Sequence, residues 1–155
     1  RRRFMCRRGR GTAQQDIPPI LGMIQRGGMV CIKMLDNVQK VTIQPIIRRT
    51  IKADSIVYTD EYNIYNWLSE EYKEHKTVNH SEGEYARDED GDGHCEVHVN
   101  TMEGFWSLLR PWLRPHRGIS QKRLPFYLAF FEFIHNIRKR GTLAIHALMH
   151  LLVAT

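Results

Sequence analysis

Cysteines are scarce in this sequence, and so are long apolar runs. The three cysteines, Cys6, Cys31 and Cys95, are odd in number and widely spaced, which predicts neither a disulfide framework nor a zinc knuckle and fits a reducing cytoplasm. The longest apolar candidate, residues 144–154, is too short to cross a membrane and is interrupted by two histidines, so no membrane partner is expected. A signal-peptide pattern is also lacking, because the arginines at the start have no apolar core behind them.

Positive charge is distributed unevenly along the 155 residues. The net charge is +6, and six of the 23 lysines and arginines fall in the first ten positions, where there is no acidic residue. Thirteen of the 17 acidic residues lie between Asp60 and Glu103, whereas residues 110–140 contain eight basic residues and one acidic residue, Glu132. Two basic regions around an acidic middle indicate contact with the phosphate backbone of a nucleic acid. The alternative interpretation is that these charges belong to an ordinary solvated surface and to a truncated linker.

Length and composition predict one globular domain. The chain is long enough to bury a core, and its 42% apolar content is typical of a folded protein. Residues 1–15 are basic and poor in apolar residues, so we predict a disordered linker there. We place the domain at residues 16–141, followed by a mildly apolar C-terminal tail at residues 142–155.

Hydrophobic periodicity and turn residues predict alternating strands and helices. Strands are predicted at residues 20–24, 29–35, 55–59 and 76–79, and helices at residues 38–51, 61–72, from Asn100 onward and from Pro125 to Arg140. Gly27 and Gly28 predict a turn that makes the first two strands an antiparallel hairpin. Residues 80–95 are predicted to be a loop, in which D-E-D-G-D-G is interpreted as a solvated turn because it lacks the ligand spacing of a calcium loop.

Prolines and aromatic residues predict details of the helices. Pro45 predicts a late start or a kink of its helix, and Pro111 predicts that the helix containing Arg110 bends or stops there. In the last helix the predicted buried face consists of Phe126, Phe130, Phe133, Ile134 and Ile137.

The stretch from His98 to Arg110 has the pattern of an opening amphipathic helix. Asn100 is a suitable N-cap, and Glu103 completes the spacing of a capping box. The predicted buried stripe is Phe105, Leu108, Leu109 and Trp112. Since successive residues turn by about 100°, Glu103, Ser107 and Arg110 share another face. A carboxylate and a guanidinium therefore lie on one side of the helix, unless Glu103 is only a cap and Arg110 only a solvated charge.

Asp60 directly follows a β-branched and aromatic run, residues 56–58, which predicts a buried strand. The carboxyl ends of strands are where open α/β sheets bind their ligands. An aspartate at a strand end and a glutamate on a later helix supply the hard oxygen ligands that Mg²⁺ or Mn²⁺ requires in two-metal phosphoryl transfer.

Four segments together carry a resemblance to a known family. They are V-Y-T-D-E-Y at 57–62, H-K-T-V-N-H-S-E-G-E-Y at 75–85, H-V-N-T-M-E-G-F-W-S-L-L-R at 98–110 and N-I-R at 136–138. In this order they resemble bacterial insertion-sequence transposases of the DDE superfamily, and most of all the ISXO-two-like group. The resemblance runs from about Pro19 to Arg140.

This resemblance implies both a fold and a function. The fold is α/β, with an RNase H-like (retroviral-integrase-like) mixed sheet flanked by helices. The function is that of a DNA transposase catalytic domain, which cleaves DNA and transfers strands at insertion-sequence ends and depends on a metal. The partners implied are transposon ends, target DNA and further copies of the chain in a homo-oligomer, and the location implied is the bacterial cytoplasm at the nucleoid.

The resemblance also assigns roles to individual residues. Asp60 matches the second catalytic aspartate of the family and Glu103 its third acidic residue, so both would bind two Mg²⁺ or Mn²⁺ ions. Arg110 falls where the family usually has a lysine, and it would clamp a phosphate. The cations expected on DNA are Arg110, Arg114, Arg117, Lys122, Arg123 and Arg138. His98, Asn100 and Asn136 are expected as neighbours of the site, and Asn136 with Arg138 matches an N-x-R segment of the family that would support the site or bind DNA.

Two features depart from the family pattern. The first catalytic aspartate, on an earlier strand, has no counterpart in this sequence, so we expect a sheet without its first strand and an incomplete metal site. Arg110 is planar and always charged, unlike the lysine it replaces. Weak metal binding and poor turnover are the expected consequences.

Three alternative functions stay open at this point. A catalytically inactive DNA-binding remnant of a transposase would bind DNA with a salt dependence that is indifferent to Asp60→Asn. A structure-selective nuclease on the same fold would cut DNA without joining strands. An α/β domain with no nucleic-acid role would lack DNA affinity at low salt.

Overall fold

The computed structural model describes residues 18–79, 86–89, 91–93, 95–116, 119–141, 146 and 149–150. The predicted linker, most of the predicted tail and Arg117 lie outside these ranges. Within them the chain alternates strands and helices, which confirms the α/β class. None of the helices in this part of the chain is both long and apolar enough to span a bilayer.

The first two strands form the predicted antiparallel hairpin. Strand β1 (Ile20–Ile24) pairs along its whole length with β2 (Val30–Met34). The backbone of Gly27 has a φ of 67°, a conformation that favours glycine. The Gly28 amide closes the turn by donating to the Gln25 carbonyl at 2.9 Å. The glycine pair therefore sets the register of the hairpin.

Helix α1 (Lys40–Thr50) follows the hairpin and buries Ile43 and Ile47. It begins two residues later than predicted and contains Pro45 in its interior. Proline has no N–H, so the helix lacks one hydrogen bond at this position. The buried isoleucines are one turn apart, and their packing holds the helix on the sheet.

Strands β3 (Ile56–Asp60) and β4 (Glu74–Val78) form a parallel pair. The register places Asp60 opposite Val78, so both strands end at the same edge. The prediction that a strand ends near Asp60 is confirmed.

The helix predicted at residues 61–72 is wrong in its length. The structure has a 3₁₀ turn (Asn63–Tyr65) and a single-turn helix, α2 (Leu68–Glu71). Tyr62 is extended, and its amide donates to the Asp60 carboxylate at 3.3 Å. A side chain that accepts from the backbone two residues later competes with helix formation, which explains the interruption.

Two short strands occupy the region before the second long helix. Strand β5 (Ala86–Arg87) pairs antiparallel with β6 (Val97–His98), so the loop predicted at residues 80–95 is wrong for β5. The amides of Gly91 and Gly93 donate to the carboxylate of Asp88 at 2.6 and 2.9 Å. Strand β6 packs against β4 and leads directly into the next helix.

Helix α3 (Asn100–Leu113) has a different start and end from those predicted. Its N-cap is Val99, and no side chain caps it, so the predicted capping box at Asn100 is wrong. The helix also continues through Pro111 instead of stopping at Arg110. A proline this close to the C-terminus removes one backbone hydrogen bond, and the last turn tolerates the loss.

Helix α4 (Leu124–Arg140) begins and ends as predicted. Pro125 lies in its first turn, where a missing N–H costs nothing, and Gly141, with a φ of 75°, ends it. The predicted buried face, however, is wrong. Phe126, Phe130 and Phe133 are 74%, 55% and 42% exposed, whereas Leu128 is 1% exposed.

The buried face of α4 carries Leu128 and also makes polar contacts with the open edge of β2. Asn136 accepts a hydrogen bond from the Val30 amide through Oδ1 and donates one to the Val30 carbonyl through Nδ2, both at 2.8 Å. Glu132 accepts one from the Ile32 amide at 2.7 Å. Residues four apart on a helix are about 6 Å apart, close to the spacing of two residues along a strand. Helix α4 thus supplies hydrogen-bond partners for backbone groups at the edge of β2, where a further strand would otherwise pair.

The hairpin separates two apolar clusters. One cluster contains Leu21, Leu35, Ile43, Ile47, Val57, Trp67, Leu68 and Tyr72. The other contains Val30, Ile32, Phe105, Leu109 and Leu128. Since alternate residues of a strand face opposite sides, β1 and β2 bury apolar side chains in both directions. Helix α1 therefore covers one face of the hairpin, and α3 and α4 cover the other.

Candidate functional site

Asp60 is exposed at the carboxyl end of β3. Its carboxylate accepts the amide hydrogen of Tyr62, and this contact orients the side chain at the strand end. The parallel partner β4 ends beside it at Val78, which is buried. At this end of the strand pair, an exposed carboxylate therefore lies next to a buried apolar residue.

Glu103 lies in the first turn of α3 on the face opposite the core. Phe105 and Leu109 are buried, while Glu103 and Arg110 are exposed, as the periodicity predicts. Leu108 differs from its prediction, because it is 59% exposed. Burial of the other face fixes the direction of the Glu103 carboxylate and the Arg110 guanidinium toward solvent.

Arg26 connects the strand of Asp60 to the segment that leads into α3, a contact that the sequence reasoning missed. Its guanidinium carbon lies 4.0 Å from the centre of the Tyr58 ring, two residues before Asp60. The same guanidinium donates to the His98 carbonyl at 3.1 Å, just before α3 begins. One turn residue therefore contacts both β3 and the segment that leads into α3. No pattern in the sequence marks Arg26, since its partners are distant in the chain.

His98 and Asn100, the two predicted neighbours on this side, lie at the entry to α3. Burial, and secondarily the charge of Arg26, hold the pKa of His98 below its ordinary value, so its imidazole is neutral at pH 7. Its Nδ1 is buried and has no hydrogen-bond partner among the described residues. Asn100 is exposed as the first residue of the helix.

Asn136, the third predicted neighbour, is directed toward β2. Its amide makes two hydrogen bonds with the backbone of Val30 and so fixes α4 against the hairpin. The structure therefore gives Asn136 a positioning contact. Its role toward a substrate stays a prediction.

The predicted DNA-binding cations fall into two groups. Arg110 and Arg114 lie at the end of α3, and Lys122 and Arg123 precede α4; all four are exposed. Arg138 is exposed at the far end of α4, roughly 20 Å away at 1.5 Å per residue. Arg117 lies outside the described residues.

The carboxylates of Asp60 and Glu103 are candidate ligands for Mg²⁺ or Mn²⁺. Asp60 and Glu103 offer the hard, exposed oxygens that these ions require. In the described ranges, the group of three acidic ligands whose atoms lie within 4.8 Å of one another is Asp88, Asp92 and Glu96, in the turn between β5 and β6. The donor chemistry at Asp60 and Glu103 thus fits a divalent ion.

The fold and these side chains together define a class of protein. A mixed α/β domain presents an exposed aspartate at a strand end, an exposed glutamate on a helix and several exposed cations. Residues 1–136 match the family described as the ISXO2-like transposase domain. The chain therefore belongs to this family of transposases.

Two relatives agree with this assignment. The chain is 34% identical over 152 residues to an "Uncharacterized protein in transposable element ISH50" of Halobacterium salinarum (strain ATCC 700922 / JCM 11081 / NRC-1), a match that covers 96% of this chain and 49% of the relative. It is 32% identical over 103 residues to an "Uncharacterized transposase-like protein" of Haemophilus influenzae (strain ATCC 51907 / DSM 11121 / KW20 / Rd), covering 66% and 77% of the two chains. The chain thus spans about half the length of the first relative. No solved structure matches it.

Proposed function

We propose that this chain is the catalytic part of a DNA transposase that cleaves and transfers strands at insertion-sequence ends. The observation that carries the proposal is the joint exposure of Asp60 and Glu103 in a chain of the ISXO2-like family. Both residues lie where the sequence predicted them, at a strand end and on the solvent face of a helix. The expected partner is DNA at the nucleoid. Several copies of the chain would assemble on this DNA as a homo-oligomer.

The proposed fold is RNase H-like. An antiparallel hairpin, a helix and then a parallel strand pair follow one another in the order that this fold requires. The two pairs, β1–β2 and β3–β4, are not hydrogen-bonded to each other within the described residues. A strand paired between β1 and β3 would join them into one mixed sheet, and an aspartate on it would supply the third carboxylate beside Asp60.

The proposed mechanism assigns a task to each side chain. Asp60 and Glu103 would hold Mg²⁺ or Mn²⁺, which supplies Lewis-acid chemistry for in-line attack on a phosphodiester. Arg110 would bind a non-bridging phosphate oxygen pair through its planar guanidinium. The lowered pKa of His98 favours its neutral form, so the positive charge near the start of α3 would come from Arg26.

A joining assay separates this proposal from its alternatives. The protein is incubated with Mn²⁺, a supercoiled plasmid and a labelled duplex with a free 3′-hydroxyl. We expect nicked plasmid and covalent attachment of the label. Nicking without attachment would indicate a nuclease, and salt-sensitive binding with neither product would indicate the inactive DNA-binding remnant.

Neutralising the cations around the end of α3 should weaken DNA binding uniformly across sequences. Replacing Arg110, Arg114, Lys122 and Arg123 by glutamine is expected to lower the slope of log affinity against log salt by about 0.9 for each phosphate that the protein no longer neutralises. Fluorescence anisotropy with a labelled duplex at several salt concentrations measures that slope. The control carries Arg49→Gln and Lys52→Gln at exposed positions at and after the end of α1, and it should keep the original slope. Equal slopes for both variants would contradict the DNA-binding surface.

A further inference from the structure

A pocket of about 210 Å³ opens between the hairpin turn, the first half of α3 and the end of α4. Its walls include Gly27, Gly28, Gly104, Leu108, His135 and Lys139. Gly104 directly follows Glu103, so the pocket and the candidate catalytic carboxylate share one turn of α3. No pattern in the sequence predicts this pocket, since its walls come from three distant segments.

Gly104 indicates that the pocket is open for a ligand. Glycine within a helix lowers helix stability relative to alanine. A Cβ built at Gly104 would meet no atom within 4 Å, so packing inside the protein does not require glycine there. The backbone at this position is helical, so no unusual φ requires it either. The missing side chain leaves room above the helix that the protein itself does not fill.

The walls of the pocket suit a flat apolar body attached to an anion. Leu108 provides exposed apolar surface, and His135 packs its ring against the buried Phe105 with centres 5.3 Å apart. Burial, and then the charges of Lys139 and Arg138, hold the pKa of His135 below its ordinary value, so the wall it forms is neutral at pH 7. Lys139 is exposed and is the cation among the lining residues.

We infer that this pocket receives one unstacked nucleotide of the DNA substrate, with its base over Gly104 and against Leu108 and its phosphate beside Lys139. The inference rests on the proposed function, because it takes DNA as the substrate. Enzymes that do chemistry on a base extrude its nucleotide into a fitted pocket, and an unpaired nucleotide enters at the lowest cost; the same cost applies to a nucleotide that is held only for positioning. A nucleotide held there would set the register of the strand relative to Glu103.

Filling the pocket tests the inference. The probe is a short duplex with one unpaired 2-aminopurine, compared with the same duplex fully paired. We expect the protein to bind the first duplex about tenfold more tightly, near the lower end of what stacking of a base on an aromatic ring contributes, because Leu108 is aliphatic. The protein should also shield the 2-aminopurine from acrylamide quenching. Gly104→Leu should abolish both the preference and the shielding while leaving affinity for the paired duplex unchanged.

Matched variants guard against a general effect of the substitution. Leucine at position 104 favours the helix and meets open space, so thermal unfolding should show a folded variant. Ala129→Leu adds the same side chain at an exposed position of α4 and should keep the full preference. Equal affinity of the unaltered protein for both duplexes, or a preference that survives Gly104→Leu, would overturn the inference.

The two proposals fail in different ways. Absence of the preference together with Glu103-dependent cleavage would overturn only the nucleotide pocket. A preference that Gly104→Leu removes, in a protein that neither cleaves nor joins DNA, would support the pocket and contradict catalysis.

Discussion

Glu103→Gln is expected to lower Mn²⁺-dependent DNA cleavage by at least about 1000-fold, equivalent to about 4 kcal/mol in the activation barrier. Glutamine has nearly the same shape as glutamate but carries no charge, so a metal ligand is removed with little change in packing. Glu103 is exposed in the first turn of α3, and we therefore expect the variant to fold normally. Nicking of supercoiled plasmid, followed over time at saturating Mn²⁺, measures the effect.

Controls for this prediction use the other carboxylates of the chain. Asp60→Asn should cause a loss of similar size, and the double variant should be hardly worse than either single one, because residues that bind one metal centre act as a unit. Glu70→Gln removes an exposed charge on α2 and should leave cleavage unchanged. Affinity for DNA should not fall in any of these variants. Cleavage that persists in Glu103→Gln would contradict the assignment of the site.

Asn136→Ala is expected to lower the free energy of unfolding by about 2–4 kcal/mol. The substitution removes two hydrogen bonds and leaves the amide and the carbonyl of Val30, which is 3% exposed, without their side-chain partner. Urea denaturation at pH 7 measures the decrease in stability. Hydrogen exchange should in addition show faster exchange of the Val30 amide than in the unaltered protein.

A control and a competing interpretation make this prediction specific. Asn63→Ala removes an exposed amide side chain from the 3₁₀ turn and should change stability by less than about 0.5 kcal/mol. If Asn136 instead contacted DNA directly, its replacement would weaken DNA binding and leave Val30 exchange and stability unchanged. That result would contradict the positioning role.

Because α4 carries both Asn136 and Lys139, loosening the helix should also weaken the preference for an unpaired nucleotide.

Several parts of the fold were predictable because they depend on local chemistry. The hairpin follows from a glycine pair between two apolar runs, and Gly27 indeed has a positive φ. The exposure of Glu103 and Arg110 follows from the spacing of Phe105 and Leu109, since a helix face is fixed by periodicity. The position of Asp60 follows from the strand that precedes it.

The face that α4 buries was not predictable in this way. Its aromatic residues form the most apolar stripe, yet Phe126 and Phe130 are mostly exposed. The unpaired edge of β2 requires hydrogen-bond partners, and Glu132 and Asn136 supply them from another side of the helix. Hydrophobic periodicity identifies apolar faces of a helix. It contains no information about the unpaired backbone of β2, which lies some 100 residues earlier in the chain. The helix buries the side that carries Glu132 and Asn136, together with the apolar Leu128.

The family, the strand-end aspartate, the helix-borne glutamate and the basic character of the later helices can be predicted from the amino-acid sequence, because each depends on residues that are close together in the chain. The folded structure was needed to find that Arg26 joins Tyr58 to the His98 carbonyl, that Asn136 binds Val30, and that Gly104 borders a pocket. Those contacts connect residues far apart in sequence. Burial of one apolar cluster brings β3 to the hairpin, and burial of the other brings α3 and α4 to it, so that the polar groups lie beside their partners.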